Sequence, residues 1–360
     1  MAPPALRSGL LKIAPYVGGE AHAPGAERLI RLASNEGAFG PSPKAVEAYK
    51  AAAGEIHRYP DGGSRALVEA LARRHGVDPG MIVCGNGSDE ILHLLALAYA
   101  GPGDEVLYSA HGFLVYPIAA RSVGALPVAV PERDLTADVD ALLAAVTPRT
   151  RILYLANPNN PTGSYLPESE LRRLHAGLPD TVLLVIDAAY AEFASAGDYI
   201  AGQELATEGA NVVMTRTFSK VYALGGLRLG WAACPPAVAD GLHRIRGPFN
   251  INCAAQAAGV AALEDTGFIG AAVLHNHQAR HWFAERLRGL GLVVHPSEAN
   301  FLLVSFEGWG DPEAVRQFLK ARGILVRQMT AYGLPQCLRI TIGRSEELRE
   351  VVDALSAYPR

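Results

Sequence analysis

Leu183-Leu184-Val185-Ile186-Asp187 is a run of four apolar residues that ends in a carboxylate. A short run that is apolar at every position is typical of a strand buried on both faces of a sheet. Comparable runs lie at residues 81–84, 105–108, 151–155 and 211–214, and helical patterns or turn residues separate them. Buried strands that alternate with helices predict an α/β fold with a mostly parallel sheet.

The pattern changes after about Cys253. A long helical region, from residue 254 to about residue 290, precedes four short strand candidates. These candidates lie at residues 292–294, 300–304, 324–326 and 337–342. The change predicts a second, smaller α+β domain. Length agrees with two domains, because a chain of 360 residues exceeds a single compact core.

Composition argues against several classes of protein. A hydrophobic content of 49% and a charged content of 19% describe an ordinary globular chain rather than a disordered one. The net charge of −4 gives no reason to expect nucleic acid or an anionic membrane as a partner. No window approaches the roughly 18 consecutive apolar residues of a membrane span, and the N-terminal residues lack the apolar stretch of a signal peptide. The simplest interpretation is a cytoplasmic protein.

No metal site is expected. The cysteines are widely scattered and form no CxxC pair: Cys84, Cys234, Cys253 and Cys337. Such scatter suits a reducing compartment and argues against a structural zinc site. His277 and His281 have the i, i+4 spacing of a helical metal site, but a solvated helix face is the commoner reason for that spacing.

Polar residues stand where several of the predicted strands end. Asp187 ends its strand and Tyr190 follows three residues later, while Asn160 lies in the loop Asn157-Pro158-Asn159-Asn160-Pro161-Thr162-Gly163. Ser88-Asp89 opens a predicted helix after another strand. A carboxylate is costly to bury unless it is paired, although a helix N-cap is the alternative role for Asp187. Ligands of parallel sheets bind outside the carboxyl ends of the strands, so a site is expected there.

Lys220 adds a nucleophile to this set. It lies in Thr217-Phe218-Ser219-Lys220, and Arg228 follows eight residues later, after a Gly-rich bend. A single lysine is most often a solvated surface residue. Here an amine, a strand-end carboxylate, an asparagine in a rigid loop and a Ser/Arg pair for a phosphate occur together, as pyridoxal 5′-phosphate (PLP) requires. The lysine forms the Schiff base, and Asp187 keeps the pyridinium nitrogen protonated so that the ring can act as an electron sink.

The chain resembles the fold-type-I PLP-dependent aminotransferases, and specifically the histidinol-phosphate aminotransferase family. The likeness runs from about Ile13 to the C-terminus. An ordered set of motifs carries it: Arg58-Tyr59-Pro60-Asp61, Gly85-Asn86-Gly87-Ser88-Asp89-Glu90, the Asn157–Gly163 loop, Ser219-Lys220 and Cys337-Leu338-Arg339-Ile340-Thr341. The resemblance implies a large PLP-binding domain with a seven-stranded sheet over residues 32–252 and a small domain over residues 253–360. It also implies an N-terminal arm, residues 1–31, that packs with the small domain and reaches a partner subunit.

The resemblance further implies how the cofactor is held. Lys220 would form the Schiff base and then move the proton between Cα and C4′ of the cofactor. Asp187 would pair with the pyridinium nitrogen, while Tyr190 and the amide of Asn160 would contact O3′. The family usually has Glu after this Asp, where the chain has Ala188. The residues implied around the phosphate combine a helix N-terminus, the lysine segment and one tyrosine from the partner subunit: Ser88, Asp89, Thr217, Ser219, Arg228 and Tyr59.

Phe113 matches the aromatic residue that stacks on the pyridine ring in the family, where many members have Tyr. Core packing is the alternative role for Phe113, and Tyr116 is the fallback for the stacking role. Arg339 lies in an alternating strand, where a solvent-facing position is the alternative to a functional one. The resemblance gives Arg339, with Asn35 as a helper, the role of a bidentate clamp for a substrate carboxylate.

Tyr16 and Arg327 match the positions that bind the phosphate of histidinol phosphate in the family. Each alone is equally well explained by a packed or solvated side chain. Together with the family likeness, they favour a substrate with a phosphorylated or otherwise anionic end.

The function implied is PLP-dependent transamination of L-histidinol phosphate with 2-oxoglutarate, by a ping-pong mechanism in a homodimer. An aromatic amino-acid aminotransferase is the first alternative, since a phenyl or imidazole ring fits the same kind of pocket. A PLP decarboxylase of a phosphorylated amino acid is a second, because the same cofactor residues serve both reactions. A PLP-binding transcription regulator is disfavoured, because the likeness from Ile13 leaves no room for a helix-turn-helix domain.

Overall fold

The computed structural model describes residues 4–7, 9–25 and 28–359. The strands within these ranges are β1 (Ile30–Arg31), β2 (Ile82–Gly85), β3 (Glu105–Ser109), β4 (Leu126–Val130), β5 (Glu132–Arg133), β6 (Thr136–Ala137), β7 (Thr150–Ala156), β8 (Leu183–Asp187), β9 (Val212–Thr217), β10 (Gly230–Ala233), β11 (Val293–Val294), β12 (Phe301–Ser305), β13 (Ile324–Leu325), β14 (Arg327–Gln328) and β15 (Cys337–Thr341). The α-helices are α1 (Pro43–Ala52), α2 (Arg65–His75), α3 (Ser88–Tyr99), α4 (Val115–Val123), α5 (Val139–Ala144), α6 (Glu168–Gly177), α7 (Gln203–Glu208), α8 (Pro236–Ile245), α9 (Cys253–Glu264), α10 (Thr266–Gly289), α11 (Pro312–Lys320) and α12 (Ser345–Ser356).

The larger sheet has seven strands in the order β2-β10-β9-β8-β7-β3-β4. Only β10 runs antiparallel to its neighbours, so the predicted mostly parallel, seven-stranded sheet is confirmed. In the central register Ala156 stands opposite Asp187, and Asp187 opposite Thr215. The carboxyl ends of β7, β8 and β9 therefore meet at one edge of the sheet, which is where the fold places its ligands.

Both faces of this sheet are covered, as the continuous apolar runs predict. Along β7, Leu153 and Leu155 point into one hydrophobic core, while Ile152 and Tyr154 point into a second core on the opposite face. This separation follows from the two-residue period of a strand. Helices must therefore lie on both sides of the sheet, and the sheet becomes a rigid support for the residues at its edge.

A smaller antiparallel sheet has the order β11-β12-β15-β14 and packs with parts of α10, α11 and α12 around a separate core. The strand expected at residues 324–326 forms as β13, but it pairs in parallel with β1 rather than joining that sheet. The pairing brings residues from the start of the chain against the C-terminal part. Glu20 strengthens the same contact, since its carboxylate lies 2.7 Å from Lys320 Nζ and 2.5 Å from an Arg316 nitrogen.

The helical region after Cys253 is two helices rather than one. Asp265, with φ −87° and ψ 62°, leaves the helical conformation, and the axes of α9 and α10 differ by 76°. After the bend, α10 begins on the core of the large sheet at Ile269 and ends on the core of the small sheet. Ala255, Ala258 and Ala262 of α9 pack in the core of the large sheet, whereas Phe283 and Leu287 of α10 pack in the core of the small sheet.

Several helices begin at capping side chains. Ser42 accepts a hydrogen bond from Ala45 N at 3.1 Å, Asn252 from Ala255 N at 2.8 Å, and Asp311 from Ala314 N at 2.9 Å. Pro43 and Pro312 occupy the first turn, where the missing N–H has no intrahelical partner to lose. These short polar residues fix where the chain enters each helix.

No single helix of the described ranges is long and apolar enough to cross a membrane. The helices α9 and α10 meet that criterion of length and composition only as a bent pair. The division of the chain after residues 31 and 252 stays a prediction, and part of the predicted N-terminal arm lies outside the described residues.

Candidate active site

A cavity of about 260 Å³ opens at the carboxyl edge of the large sheet, beside the small sheet. It contains every predicted site residue except Tyr59: Tyr16, Asn35, Ser88, Asp89, Phe113, Asn160, Asp187, Tyr190, Thr217, Ser219, Lys220, Arg228, Arg327 and Arg339. These residues are spread from position 16 to position 339, and the fold brings them around one space.

Lys220 lies three residues beyond the end of β9, half-buried in the cavity. Its Nζ donates a hydrogen bond to the backbone oxygen of Ser34 at 3.2 Å and stands 5.8 Å from the centre of the Tyr190 ring. Burial, and next the positive charge of Arg339, lowers the pKa of Lys220 from 10.5 to about 8. A lysine with such a pKa is a usable nucleophile and base near neutral pH.

Asp187 is the last residue of β8 and is buried. Burial raises the pKa of this carboxyl from 3.8 to about 6, and the hydrogen bond from Tyr116 acts in the opposite direction. The Tyr116 hydroxyl donates to Oδ2 of Asp187 at 2.9 Å, and Thr215 donates to Oδ1 at 3.4 Å. Among the described residues, no cation forms a salt bridge with Asp187, so the carboxylate is free to hold a cationic group of a ligand.

Tyr116 is the functional neighbour that the sequence did not identify in this role. Its ring is fully buried and stacks on Tyr154, with the ring centres 4.9 Å apart and the planes 5° apart. It does not line the cavity, whereas Phe113 does. The structure therefore places Phe113, rather than the fallback Tyr116, where a ring could stack on a ligand. Phe113 precedes α4 and Tyr116 lies in its first turn, and no signal in the sequence separates the roles of the two rings.

We expect Tyr116→Phe to weaken PLP binding by about tenfold at pH near 7, the value of one charge-assisted hydrogen bond. The hydroxyl lowers the pKa of Asp187, so its removal raises that pKa further above about 6 and leaves less carboxylate to hold the pyridinium. The deficit should shrink at a higher pH, where the carboxyl ionises in both proteins. Fluorescence titration of the apoenzyme with PLP at several pH values measures the ratio, and a pH-independent ratio would contradict this account.

Donors for an anion gather at the start of α3. Ser88 is the first residue of this helix, and free N–H groups at a helix N-terminus attract negative charge. The Arg228 guanidinium reaches the same turn, 3.2 Å from Asp89 Oδ2, and Ser219 lines the cavity beside it. Gly87 permits this approach, because a Cβ there would lie 2.5 Å from a terminal nitrogen of Arg228.

A buried hydrogen-bond network forms the opposite wall. Asn35 Nδ2 donates to the Tyr190 hydroxyl at 2.9 Å, and Arg339 donates to Asn160 Oδ1 and, at 3.0 Å, to Ala33 O. Asn35 has φ 56°, a left-handed conformation that asparagine tolerates better than most residues. In the described part of the chain, Arg339 Nε is buried without a hydrogen-bond partner, so one donor of the guanidinium has no acceptor within the protein.

Tyr16, Phe113 and Arg327 form the outer end of the cavity. The Tyr16 and Phe113 rings meet edge to face with centres 6.5 Å apart, and the Arg327 guanidinium lies 5.7 Å from the centre of the Tyr16 ring. Arg327 also donates to Val17 O at 2.8 Å. This end therefore combines a cation with two aromatic rings.

Tyr59 lies away from the cavity. Its side chain is 83% exposed and its ring stacks on Phe249, with ring centres 4.8 Å apart. Within one chain it cannot contribute to the site. Its predicted role needs a second subunit.

The cavity fits PLP group by group. Asp187 is a buried carboxylate that would suit the pyridinium nitrogen, Tyr190 and Asn160 would supply hydrogen bonds to the phenolic oxygen, and Lys220 would supply the amine for the aldehyde. The α3 N-terminus, Ser219 and Arg228 supply the donors that a phosphate needs.

A sequence profile of the aminotransferase class I and II family matches residues 27–355. The histidinol-phosphate aminotransferase of Rhodospirillum centenum is 68% identical over 359 residues, which cover 99% of both chains. The histidinol-phosphate aminotransferase of Paramagnetospirillum magneticum is 58% identical over 360 residues, again 99% of both chains.

Solved structures agree with the sequence relatives. The histidinol-phosphate aminotransferase of Sinorhizobium meliloti, crystallised in complex with pyridoxal-5′-phosphate, superimposes with a TM-score of 0.90 at 32% identity, covering 98% of this chain and 97% of that one. An aspartate aminotransferase mutant from Thermus thermophilus superimposes with a TM-score of 0.83 at 24% identity, covering 98% and 99% of the two chains. The second comparison shows a shared fold.

Proposed function

The chain belongs to the aminotransferase class I and II family, and from this we propose that it transfers the amino group of L-histidinol phosphate to 2-oxoglutarate in histidine biosynthesis, with PLP as cofactor. The relatives at 68% and 58% identity are named histidinol-phosphate aminotransferases, which supports the amino donor of this proposal. Their likeness spans nearly the whole of each chain, so it includes both the cofactor end and the substrate end of the cavity.

The observation that carries the choice of substrate is a pair of arginines at the substrate end. Arg327 of β14 and Arg339 of β15 stand directly opposite each other in the antiparallel register, and both side chains reach the cavity. Directly paired residues project from the same face of a sheet, so two positive charges share one wall. A phosphate ester or a dicarboxylate can neutralise them, whereas the ring of a purely aromatic substrate cannot.

When bound, PLP supplies the electron sink that stabilises negative charge at the substrate Cα. Lys220 would accept and return the proton at the substrate Cα, because its Nζ lies in the cavity and its pKa is lowered to about 8. Asp187 would hold the pyridinium nitrogen, and Tyr190, whose hydroxyl accepts a hydrogen bond from Asn35, would donate to the phenolic oxygen. Arg339 and Arg327 orient the anionic end of each substrate in turn.

Both halves of a ping-pong reaction can use this one cavity. The amino donor binds first and leaves as an oxo compound, after which 2-oxoglutarate enters and leaves as glutamate. Histidinol phosphate carries two negative charges on one phosphate, whereas 2-oxoglutarate carries one carboxylate at each end. The two arginines bind an anionic group of either substrate, so neither substrate needs a pocket of its own.

The test is a half-reaction scan of the purified PLP enzyme without an oxo acid. Histidinol phosphate, tyrosine and phenylalanine are added separately, and the conversion of the bound cofactor is followed by its absorbance. Much faster conversion with histidinol phosphate is expected. Comparable or faster conversion with the aromatic amino acids would favour the alternative, an aromatic aminotransferase. Release of CO₂ without a need for oxo acid would indicate a decarboxylase.

We expect Arg327→Ala to raise KM for histidinol phosphate by about 10- to 100-fold and KM for phenylalanine by much less, because a charge-assisted contact with the phosphate is lost. Steady-state kinetics with both donors measure the difference. Arg322→Ala is a matched control, since Arg322 lies exposed in the same part of the chain, donates to Phe318 O at 3.2 Å and does not line the cavity. An equal rise in KM for both donors in Arg327→Ala would show that Arg327 does not bind the phosphate.

A homodimer is part of the same proposal. Ile56 and Tyr59 are 73% and 83% exposed, and Phe249, which stacks on Tyr59, is 44% exposed. An apolar patch of this kind is typical of a protein interface. We propose that a second copy covers the patch and that Tyr59 reaches the phosphate end of the other subunit's cavity.

A cytoplasmic location and the three-part division at residues 31 and 252 also remain proposals. The cysteines support a reducing compartment, since all four are free and three of them are buried. The separate hydrophobic cores of the two sheets support a large and a small domain, and the pairing of β1 with β13 supports an N-terminal part that packs with the small one.

A further inference from the structure

Residues Ala33–Glu36, called here the crossing segment, connect β1 of the small-sheet side to the loop before α1. Two of these residues line the active-site cavity. The four backbone carbonyls of the segment accept hydrogen bonds from three side chains. The bonds run from Arg339 to Ala33 O at 3.0 Å, from Lys220 to Ser34 O at 3.2 Å, and from Asn300 to Asn35 O at 3.0 Å and Glu36 O at 3.4 Å. The position of the segment is therefore tied to Lys220 and Arg339, with Asn300 as the third attachment.

Asn300 does not line the cavity, and its side chain is 2% exposed. It immediately precedes β12, and its backbone oxygen accepts a hydrogen bond from Ile342 N at 2.8 Å. One amide nitrogen with two protons can serve two consecutive carbonyls, as it does here. An aspartate has no proton to donate and a leucine has no donor, so neither can replace this contact.

The two ends of the Asn300 amide differ in their contacts. The nitrogen donates to the crossing segment, whereas Oδ1 is buried and, within the described ranges, has no hydrogen-bond partner. Among the described residues, the hydrogen bonds of this side chain therefore all run to the crossing segment.

Asn35 connects the crossing segment to Tyr190 of the active site by a hydrogen bond. Its side chain donates to the Tyr190 hydroxyl at 2.9 Å, and its backbone N–H donates to Thr341 Oγ1 at 3.0 Å. Thr341 in turn donates to Asn35 Oδ1 at 3.3 Å. A shift of the Asn35 backbone would therefore move the partner of Tyr190 and, one residue earlier, the acceptor of Lys220.

We propose that Asn300 is a positioning residue for the proton transfer: it holds the crossing segment, and through it Lys220 and Tyr190, in their working geometry. This inference rests on the proposed transaminase function. Misplacement of a reacting group by about 1 Å can cost roughly 10²-fold in rate, even when the altered residue lies away from the chemistry. Asn300 reaches the site through two consecutive carbonyls, so its loss acts on both residues together.

The test compares Asn300→Ala with the matched control Asn276→Ala. Asn276 is 3% exposed and, together with Asn300, lines a second, small cavity of about 20 Å³. Like Asn300, it has a buried Oδ1 without a partner in the described chain. Its amide nitrogen donates to Ala299 O at 3.3 Å instead of the crossing segment. Both variants remove one buried amide and leave a similar space, so a general packing effect is common to both. Asn300→Ser is a second variant in case the alanine protein does not fold.

The readouts are kcat, KM, the isotope effect with an α-deuterated amino donor, and the pH midpoint of the visible absorbance of the bound cofactor. In Asn300→Ala, or in Asn300→Ser, kcat should fall by about 10- to 100-fold with KM little changed, and the isotope effect should rise. The absorbance midpoint should also move, because the surroundings of Lys220 and Tyr190 change. Asn276→Ala should leave the isotope effect and the midpoint unchanged, even if both proteins melt at lower temperature.

Two results would overturn the inference in distinguishable ways. If the Asn300 variants match Asn276→Ala in isotope effect and absorbance midpoint, Asn300 is a structural residue only, and the proposed function stands. If the unaltered protein shows no cofactor absorbance and no turnover of histidinol phosphate, the proposed function fails first and the role of Asn300 falls with it.

Discussion

Replacing Lys220 by alanine is expected to abolish the visible absorbance of the lysine-bound cofactor and to reduce turnover by about 10⁴-fold, the upper range for a positioned proton-transfer group. Lys220 is the amine in the cavity that lies against Tyr190 and the crossing segment. Absorbance spectra and single-turnover kinetics measure both effects. Removing a partly buried cation whose pKa is already lowered to about 8 should not unfold the chain.

Lys50→Ala is the matched control, since Lys50 is an exposed lysine near the end of α1. It should keep wild-type absorbance and turnover. Partial recovery of Lys220→Ala by a small primary amine added to the solution would show that the missing function is proton transfer rather than folding. Retained turnover in Lys220→Ala without added amine would refute the assignment of this residue.

Replacing Arg339 by lysine is expected to raise KM for 2-oxoglutarate by about 10- to 100-fold while the charge is kept. The Arg339 guanidinium is buried and already donates to Asn160 and Ala33 O, so a ligand must use the remaining edge. A planar guanidinium offers two parallel hydrogen bonds to a carboxylate from that edge. A lysine ammonium has three N–H donors where the guanidinium has five. It cannot donate to Asn160, to Ala33 O and to the substrate in the same geometry.

Initial rates at varied 2-oxoglutarate, with the amino donor saturating, isolate this effect. Arg349→Lys, on the exposed side of α12, is the control for the same exchange of side chains. An unchanged KM in Arg339→Lys would mean that the charge alone, and not the bidentate geometry, recognises the oxo acid.

The sequence predicted the large sheet well because its strands are apolar on both faces, and this pattern does not depend on distant partners. The edge at which Asp187 and Asn160 lie followed from the same pattern, since parallel strands place their carboxyl ends together. Most of the predicted site residues could be located for that reason. The motifs of the family added the residues that stand far apart in the chain, such as Tyr16 and Arg327.

Contacts made only in the folded chain could not be read from the sequence. The pairing of β13 with β1 joins two-residue strands, which carry too few side chains to show a pattern. The bend at Asp265 directs the end of α10 to the core of the small sheet, and the pattern of the helical region does not show where that turn occurs. The bond from Tyr116 to Asp187 required α4 to turn Tyr116 inward, which its spacing from Phe113 permits but does not dictate.

The pairing of β1 with β13 also has a consequence for the order of events during synthesis. The first strand of the chain finds its partner only when residue 324 has left the ribosome, and Arg339 emerges later still. The large sheet can form earlier from residues 82–233, since all of its strands lie within that stretch. Until then the segment that carries Tyr16 and Asn35 lacks its contacts with β13, β14 and β15. A shortened product that ends before β13 would keep Lys220 and Asp187 but lack one wall of the cavity, so capture of the substrate is among the last properties that the growing chain acquires.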